Sequence, residues 1–272
     1  LVILKADAGG GGRGMRLCHN EAQLKEAFAL AQAEALSSFG LASVYLEKYL
    51  TGGRHIEVEV LVDAFGDGIH LGERECSVQR RHQKLIEESP SPALTDIERA
   101  ELGAMAAKAA ASVGYVGAGT IEFLRAPDSD GQRGEIYFME MNTRLQVEHT
   151  VSEEVSGVDL AQWQLRIAAN QPLDLLQSDI QLTGHAIEAR INAEDPSNDF
   201  RPSPGHLDLF EFDLDAAKAH GTLRLDSHLA TGQVVPPYYD SLIGKLIAHG
   251  PDRAAAIRAL DAGLAAARIE GV

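Results

Sequence analysis

Two carboxylates and an amide in this chain stand at spacings that could gather a metal ion. Residues 120–124 and 135–142 alternate as strands. Period two puts Glu122 on the face opposite Ile121 and Phe123, with Glu140 and Asn142 sharing one face of the second strand. Pairing the strands brings three oxygen ligands together, a set that suits Mg²⁺ and leaves positions for phosphate oxygens. Phe138, Met139 and Met141 flank Glu140, where an idle charge would be costly; a solvated strand face with ordinary acids is the alternative. Directly beyond, NTRLQVEH (142–149) alternates Arg144, Gln146 and Glu148. The planar fork of Arg144 suits an oxyanion and Glu148 suits a general base beside it, with an internal salt bridge as the other reading. Upstream, Gln79-Arg80-Arg81-His82-Gln83-Lys84 gathers cationic and titratable groups, as a surface strand edge also can. Arg190 sits mid-strand in EARIN (188–192), where a site role and a structural ion pair are both open.

The stretch AGGGGRGM (8–15) satisfies G-x-G-x-x-G through Gly9, Gly11 and Gly14. A dinucleotide fingerprint needs a helix immediately after it, and here Met15-Arg16-Leu17-Cys18 reads as a strand. A Walker A loop fails as well, because Met15-Arg16 stands where Lys and Ser or Thr belong. What remains is a loop between two strands, with Lys5 leading in, that offers backbone N–H groups to an anion or simply closes a loose hairpin.

The elements that must position these groups are legible from periodicity. Asn20 with Gln23 resembles a capping box opening a helix over 21–38 that stops near Gly40, and Thr95 with Glu98 opens an Ala-rich helix to about 113. Residues 44–50 read as a strand. In 55–62, Ile56, Val58, Val60 and Val62 alternate with His55, Glu57 and Glu59, which predicts a half-buried strand with its acids outward. A turn over 65–68 leads into another strand, and 159–169 reads as a helix halted before Pro172. After a link over 177–184 come a strand (185–191), a Pro-rich turn (196–205) and a helix over 252–268. Helices and hairpins mix without βαβ alternation, so the fold class is α+β.

At 272 residues the chain can bury one large core or two ordinary ones. Its 24 Lys plus Arg against 40 Asp plus Glu give a net charge of −16, which disfavours nucleic acid and anionic membranes as partners. The cations lie in the unusual segments, which points to a small anionic ligand. No apolar run is long enough to span a bilayer. Cys18 and Cys76 lack metal-ligand spacing and read as reduced thiols of a cytoplasmic compartment. The chain opens in a strand without Met and stops at Gly271-Val272, which suggests a piece of a longer protein.

In order along the chain, LKADAGGGGRGM, YLEKYL, GRHIEVEVL, GERECSVQRRHQK, GAGTIEF, YFMEMNTRLQVEH, GHAIEARINAEDP and VPPYYDSLIGKL resemble the biotin carboxylases of the ATP-grasp superfamily. The resemblance implies an ATP-grasp fold whose two α+β subdomains sandwich ATP, followed by a biotin carboxylase C-terminal domain. The divisions would be 1–49 as the lid subdomain, 50–182 as the core subdomain and 183–272 as the C-terminal domain. It implies that Lys5, Gly11 and Gly12 hold ATP phosphates, that Glu47, Lys48, Tyr49 and Leu50 hold adenine, and that His55, Gln79 and His82 lie along ribose and phosphates. Glu122, Glu140 and Asn142 would bind Mg²⁺ or Mn²⁺. Lys84, Arg144 and the Val147 backbone would bind bicarbonate and Glu148 would take its proton. Arg190 would stabilise the biotin enolate, with Asp240 near biotin. A biotin carboxyl carrier, a carboxyltransferase and a homodimer or larger assembly would be the partners.

The chain departs from the family pattern in lacking the N-terminal subdomain with its further lysine and the segment beyond Val272. Asp7 replaces a small residue, and VEHTVSE stands for VEHPVTE. Two alternatives are a carbamoyl-phosphate-type ligase, which RRHQK and EARINAEDP argue against, and a non-catalytic ATP-binding module, which a nucleotide titration would reveal. The final carboxyl acceptor is not encoded in these residues.

Overall fold

The computed structural model describes residues 1–9, 14–127 and 134–272, and the chain divides into two compact units. The first is built on Leu1–Gly53. Strands β1 (Val2–Ala6) and β2 (Met15–Cys18) pair antiparallel as a hairpin, followed by helix α1 (Glu21–Phe39) and by β3 (Val44–Lys48), which pairs with the other edge of β1. Leu4, Cys18 and Ala31 form the centre of its core, with Leu24, Ala27 and Val44 packed around them. The Asn20 side chain accepts the Gln23 N–H at 2.9 Å, while the Gln23 side chain reaches the His19 N–H rather than that of Asn20. Gly40 ends the helix with φ 75°. A strand directly after the Gly-rich stretch agrees with reading it as a hairpin loop; Gly11 and Gly12 themselves lie outside the described residues.

The second unit begins at Arg54. Its elements are β4 (Arg54–Val62), β5 (Gly68–Arg80), β6 (Gln83–Ser89), α2 (Asp96–Ser112), β7 (Gly117–Arg125), β8 (Ile136–Asn142), α3 (His149–Ser156), α4 (Leu160–Ala168) and β9 (His185–Asn192). Short strands β10 (Glu194–Asp195), β11 (Arg201–Pro202), β12 (Gly205–His206) and β13 (Leu209–Glu211) precede β14 (Thr222–Asp226), β15 (Val234–Val235), β16 (Leu242–Gly250), α5 (Arg253–Ala266) and β17 (Arg268–Glu270). Eight strands form one sheet in the order β14-β16-β9-β6-β5-β4-β7-β8, every neighbouring pair antiparallel. The expected boundary at 182/183 falls inside this unit, because β9 beyond it is hydrogen-bonded to β6 before it.

Helices cover both faces of the sheet, and this corrects one sequence expectation. Ile56, Val58, Val60 and Val62 pack against Leu102, Ala106 and Ala110 of α2. Leu61, on the opposite face of β4, packs with Leu160, Trp163 and Ile167 of α4. Glu57 and Glu59 share that opposite face and are wholly buried, so β4 is not half-solvated. Along β9 the alternation divides Ile187 and Ala189, packed with α5 residues, from Ala186, packed with Val151 and Val155 of α3. Helix α3 went unassigned in the sequence, being only eight residues long with a mostly polar composition.

Two predictions arise from one contact. Gly103 of α2 lets the His70 imidazole of β5 lie against the helix: a Cβ there would stand 2.3 Å from ring atoms. Gly103→Ala is therefore expected to destabilise the fold by about 1–3 kcal/mol in urea unfolding. An unhindered helical site would instead gain roughly 0.5–1 kcal/mol from the same change, so the sign of the shift decides. Burial also lowers the His70 pKa from 6.5. The unfolded chain then binds the extra proton, so this contribution is complete above pH 6.5 and is lost as pH falls toward the depressed folded value. Unfolding free energies of the parent and His70→Gln should converge as pH drops from 7 to about 5, and parallel curves would refute the assignment.

Candidate active site

Strand register aligns a row of charge across the second unit. Arg74 on β5 is the partner of Glu57 on β4, Glu57 of Glu122 on β7, and Glu122 of Glu140 on β8. At the sheet's middle the Arg74 guanidinium is entirely buried. It donates to Glu59, to Ser152 Oγ at 3.1 Å, to Thr120 Oγ1 at 3.0 Å, to Gln146 Oε1 at 2.7 Å and to Glu57 Oε2 at 3.3 Å. A fixed fork with several donors can hold this many acceptors at once, which an ammonium cannot. Gln146 passes the connection on, its Nε2 donating to Glu122 Oε1 at 2.9 Å.

Lys84 on β6 reaches into the same row. Its Nζ donates to Glu57, to Glu148 Oε1 at 2.7 Å and to Glu122 Oε1 at 3.2 Å. Burial opposes its charge, but Glu57 and Glu148 hold the ammonium protonated well past the ordinary lysine range. His55 on β4 places Nε2 3.0 Å from both Glu122 Oε2 and Glu57 Oε1, and Nδ1 3.1 Å from the Gln79 amide. Burial alone would lower its pKa; hydrogen bonds with Glu122 and Glu57 raise it to about 9, so the ring is cationic at neutral pH. The same contacts, against the opposing effect of burial, draw Glu122 down to about 2.

Glu148 closes the arrangement. It occupies the residue before α3 but makes no side-chain cap, which leaves both oxygens for other partners. Lys84 takes Oε1, and Arg190 Nη2 takes Oε2 at 2.9 Å; Arg190 Nε donates to Glu87 Oε1 at 2.7 Å. The neighbouring Val147 carbonyl accepts from Lys245 of β16. A buried carboxylate held between two cations, one from each side, stays ionised and has both oxygens fixed in direction.

The structure therefore brings together His55, Gln79, Lys84, Glu122, Asn142, Val147, Glu148 and Arg190. Three other expected site residues of this unit, Arg144, His82 and Asp240, stand apart from that network, and a fourth, Glu140, meets it only at its exposed edge through Asn142. Arg144 is exposed, with Nη1 on the Leu145 carbonyl at 3.2 Å. His82 is exposed at the β5–β6 turn with φ 65°. Asp240 is exposed and accepts the Leu242 N–H at 3.2 Å; among the described residues no hydrogen bond joins it to Arg190. Glu140 is exposed with Phe138, so the apolar neighbours in sequence do not enclose it as expected; alternation and a register shift after Glu122 turn them away. In the first unit, Lys5 Nζ lies 2.6 Å from Glu47 Oε2, Lys48 is exposed, the Tyr49 N–H donates to the Leu1 carbonyl at 3.2 Å, and Leu50 is half-buried.

Sequence reading missed Glu57, Glu59, Arg74, Gln146, Glu87 and Lys245 as parts of this network. The available signal was an arginine, Arg74, inside a strand-forming stretch beside EVEVLV, where acids alternating with valines need a buried counter-charge. Cys76 lies here too, within ligand range of Glu57 and Glu148, but burial and those carboxylates push its thiol far up, which leaves it un-ionised.

Glu122, Glu140 and Asn142 are the residues that could hold a hard cation. The Asn142 side chain already bridges the two carboxylates, with Nδ2 2.8 Å from Glu122 Oε1 and 3.5 Å from Glu140 Oε1. Oxygen ligands with one carboxylate open to solvent fit Mg²⁺ or Mn²⁺. His55, Glu57 and Glu122 form a tighter group, with ligand atoms within 4.8 Å of one another, but Lys84 and the protonated imidazole already supply its positive charge.

Residues 1–176 match the family described as "Carbamoyl-phosphate synthase L chain, ATP binding domain", and residues 188–272 match "Biotin carboxylase C-terminal domain". Among curated proteins, the chain is 52% identical over 271 residues to a biotin carboxylase of Nostoc sp. and 51% identical to one of Allochromatium vinosum, covering all of this chain and 58% of each relative. Among solved structures, it is similar to the biotin carboxylase domain dimer of Hydrogenobacter thermophilus 2-oxoglutarate carboxylase in complex with MgADP, ADP and bicarbonate. That likeness has a TM-score of 0.90 and 46% identity, over 100% of this chain and 58% of the other. A biotin carboxylase–beta-gamma-ATP complex from Campylobacter jejuni gives 0.89 and 48%, over 99% and 58%. The chain thus spans a little more than half the length of the relatives it matches. No helix among the described residues is long and apolar enough to cross a membrane.

Proposed function

We propose, from the premise that the chain belongs to the biotin carboxylase family of the ATP-grasp superfamily, that it carries the reacting centre for ATP-dependent carboxylation of biotin by bicarbonate. The observation that carries this reading is Glu148 held on one oxygen by Lys84 and on the other by Arg190. Arg190 lies in the segment that matches the biotin carboxylase C-terminal domain, so this contact favours biotin over ammonia as the acceptor.

Bicarbonate would displace Glu148 from Lys84 and settle on Lys84, the Arg144 fork and the Val147 backbone, with Arg144 turning away from Leu145. Glu148 would take its proton, and the freed oxygen would attack the γ-phosphorus of ATP, forming carboxyphosphate and releasing ADP. Carboxyphosphate then breaks into CO₂ and phosphate. The released phosphate would take the ureido N–H proton of biotin, and Arg190 would offset the charge developing on the ureido oxygen while the nitrogen attacks CO₂. Glu122, Glu140 and Asn142 would hold Mg²⁺, which when bound neutralises phosphate charge. Lys5, Gly11, Gly12, Glu47, Lys48, Tyr49, Leu50, His55, Gln79 and His82 are proposed for the nucleotide, and Asp240 for biotin.

The proposed partners are a biotin carboxyl carrier, a carboxyltransferase and a second copy of the chain, as in the dimer of the Hydrogenobacter relative. Two free buried thiols fit a reducing compartment, and we place the protein in the cytoplasm. The test is transfer of isotopic carbon from bicarbonate to biotin by the full-length protein with MgATP. Label on biotin with stoichiometric ADP is expected; ammonia-dependent ADP release without labelled biotin would reassign the chemistry.

A further inference from the structure

Behind Arg190 two further glutamates face each other across buried strands. Glu87 on β6 and Glu188 on β9 are direct register partners, and both are wholly buried. Glu87 Oε1 accepts from Arg190 Nε at 2.7 Å, but its Oε2 has no hydrogen-bond partner and no access to solvent. Glu188 accepts from Thr150 Oγ1 and lies 3.5 Å, through Oε2, from Lys245 Nζ, while its Oε1 is likewise without a partner. Each member of the pair thus has one satisfied oxygen, turned to a different part of the candidate site, and one orphaned oxygen.

Two carboxylates directly opposite each other in a buried antiparallel pair repel strongly if both are ionised. The charged groups facing the pair are Arg190 and Lys245, with Glu148 adding a third negative charge and Thr150 only a neutral hydroxyl. Glu148 is itself matched by Lys84 and also takes part of Arg190, so Glu87 and Glu188 are left with Lys245 and a shared guanidinium between them. A single proton held by the pair relieves their mutual repulsion and supplies the hydrogen that two facing, acceptor-only carboxylates lack. Burial raises both acids in the same direction.

We infer that Glu87 and Glu188 share a single proton at neutral pH and act together as positioning residues. Through Arg190, Glu87 sets the cation that grips Glu148. Through Thr150 and Lys245, Glu188 sets the Val147 carbonyl, one residue before the same Glu148. The shared proton lets the sheet hold two carboxylates here without drawing Lys84 or Arg190 away from Glu148. The positioning half of this inference rests on the reading of Glu148 as a base; the shared proton does not.

Infrared difference spectra of the full-length protein across a pH titration test the proton directly. A carbonyl stretch of an un-ionised, water-inaccessible carboxylic acid should be present at neutral pH. It should vanish in Glu87→Gln and also in Glu188→Gln, because either single change frees the remaining acid to ionise beside its own cation. Absence of the band in the parent, or its survival in either glutamine variant, overturns the shared proton. For positioning, Glu87→Ala and Glu188→Ala should lower kcat about 100-fold with a smaller change in the KM for ATP. The isosteric glutamines should recover at least about tenfold of that loss. Glutamine variants as impaired as the alanines would overturn the positioning role while leaving the infrared result to stand by itself.

Discussion

Exchanging Glu148 for glutamine should reduce bicarbonate-dependent ADP formation about 10²- to 10⁴-fold, the usual contribution of a positioned general base. The fold should tolerate the change. Lys84 keeps Glu57 and Glu122, and Arg190 keeps Glu87, so no buried cation is stranded. Glutamine retains the volume and one acceptor oxygen but cannot take a proton. The loss should therefore fall on kcat, with the KM for ATP within a few-fold of the parent, in steady-state assays of the full-length protein. A variant that turned over within a few-fold of the parent rate would remove Glu148 from the chemistry and leave it a structural bridge between Lys84 and Arg190.

The second large effect is on stability. Arg74→Met should destabilise the second unit by about 3–5 kcal/mol, the cost of leaving buried carboxylates without their cation. Arg74 is entirely buried and serves five acceptors, among them Glu57 and Glu59. Burial pushes Glu59 upward and Arg74 is the group that opposes it, whereas Glu57 keeps Lys84 as a further partner. Most of the penalty should accordingly trace to Glu59. Adding Glu59→Gln to Arg74→Met should recover part of the lost unfolding free energy in urea, although Glu59→Gln alone destabilises the parent. Strict additivity of the two substitutions would show that Arg74 acts through packing rather than charge.

Both predictions depend on contacts that differ in how far the sequence exposes them. The capping residues Asn20 and Thr95, the alternation in 56–62 and the strand that follows the glycine stretch are local signals, and the corresponding elements form where they point. Helix α3 carries no comparable signal, because it is only eight residues long and no side chain caps its start. Ser152 of α3 helps hold Arg74, the buried counter-charge of Glu57 and Glu59, so the enclosure of those acids shows only in the fold.

The sequence by itself determined which residues are chemically able to act: Lys84, Glu122, Glu148 and Arg190 stand in motifs whose order along the chain identifies the family. It also determined the hairpin that sets Glu122 beside Glu140, because strand alternation fixes side-chain direction within a few residues. Only the tertiary structure decided how charge is shared. Arg74 and Glu59 are 15 residues apart, Lys84 and Glu148 are 64 apart, and Glu87 lies opposite Glu188 through pairing of β6 with β9. Such partners follow from sheet order and from which helices close over each face. Burial set by that packing then decides which of these acids must be matched by a cation and which pair must keep a proton.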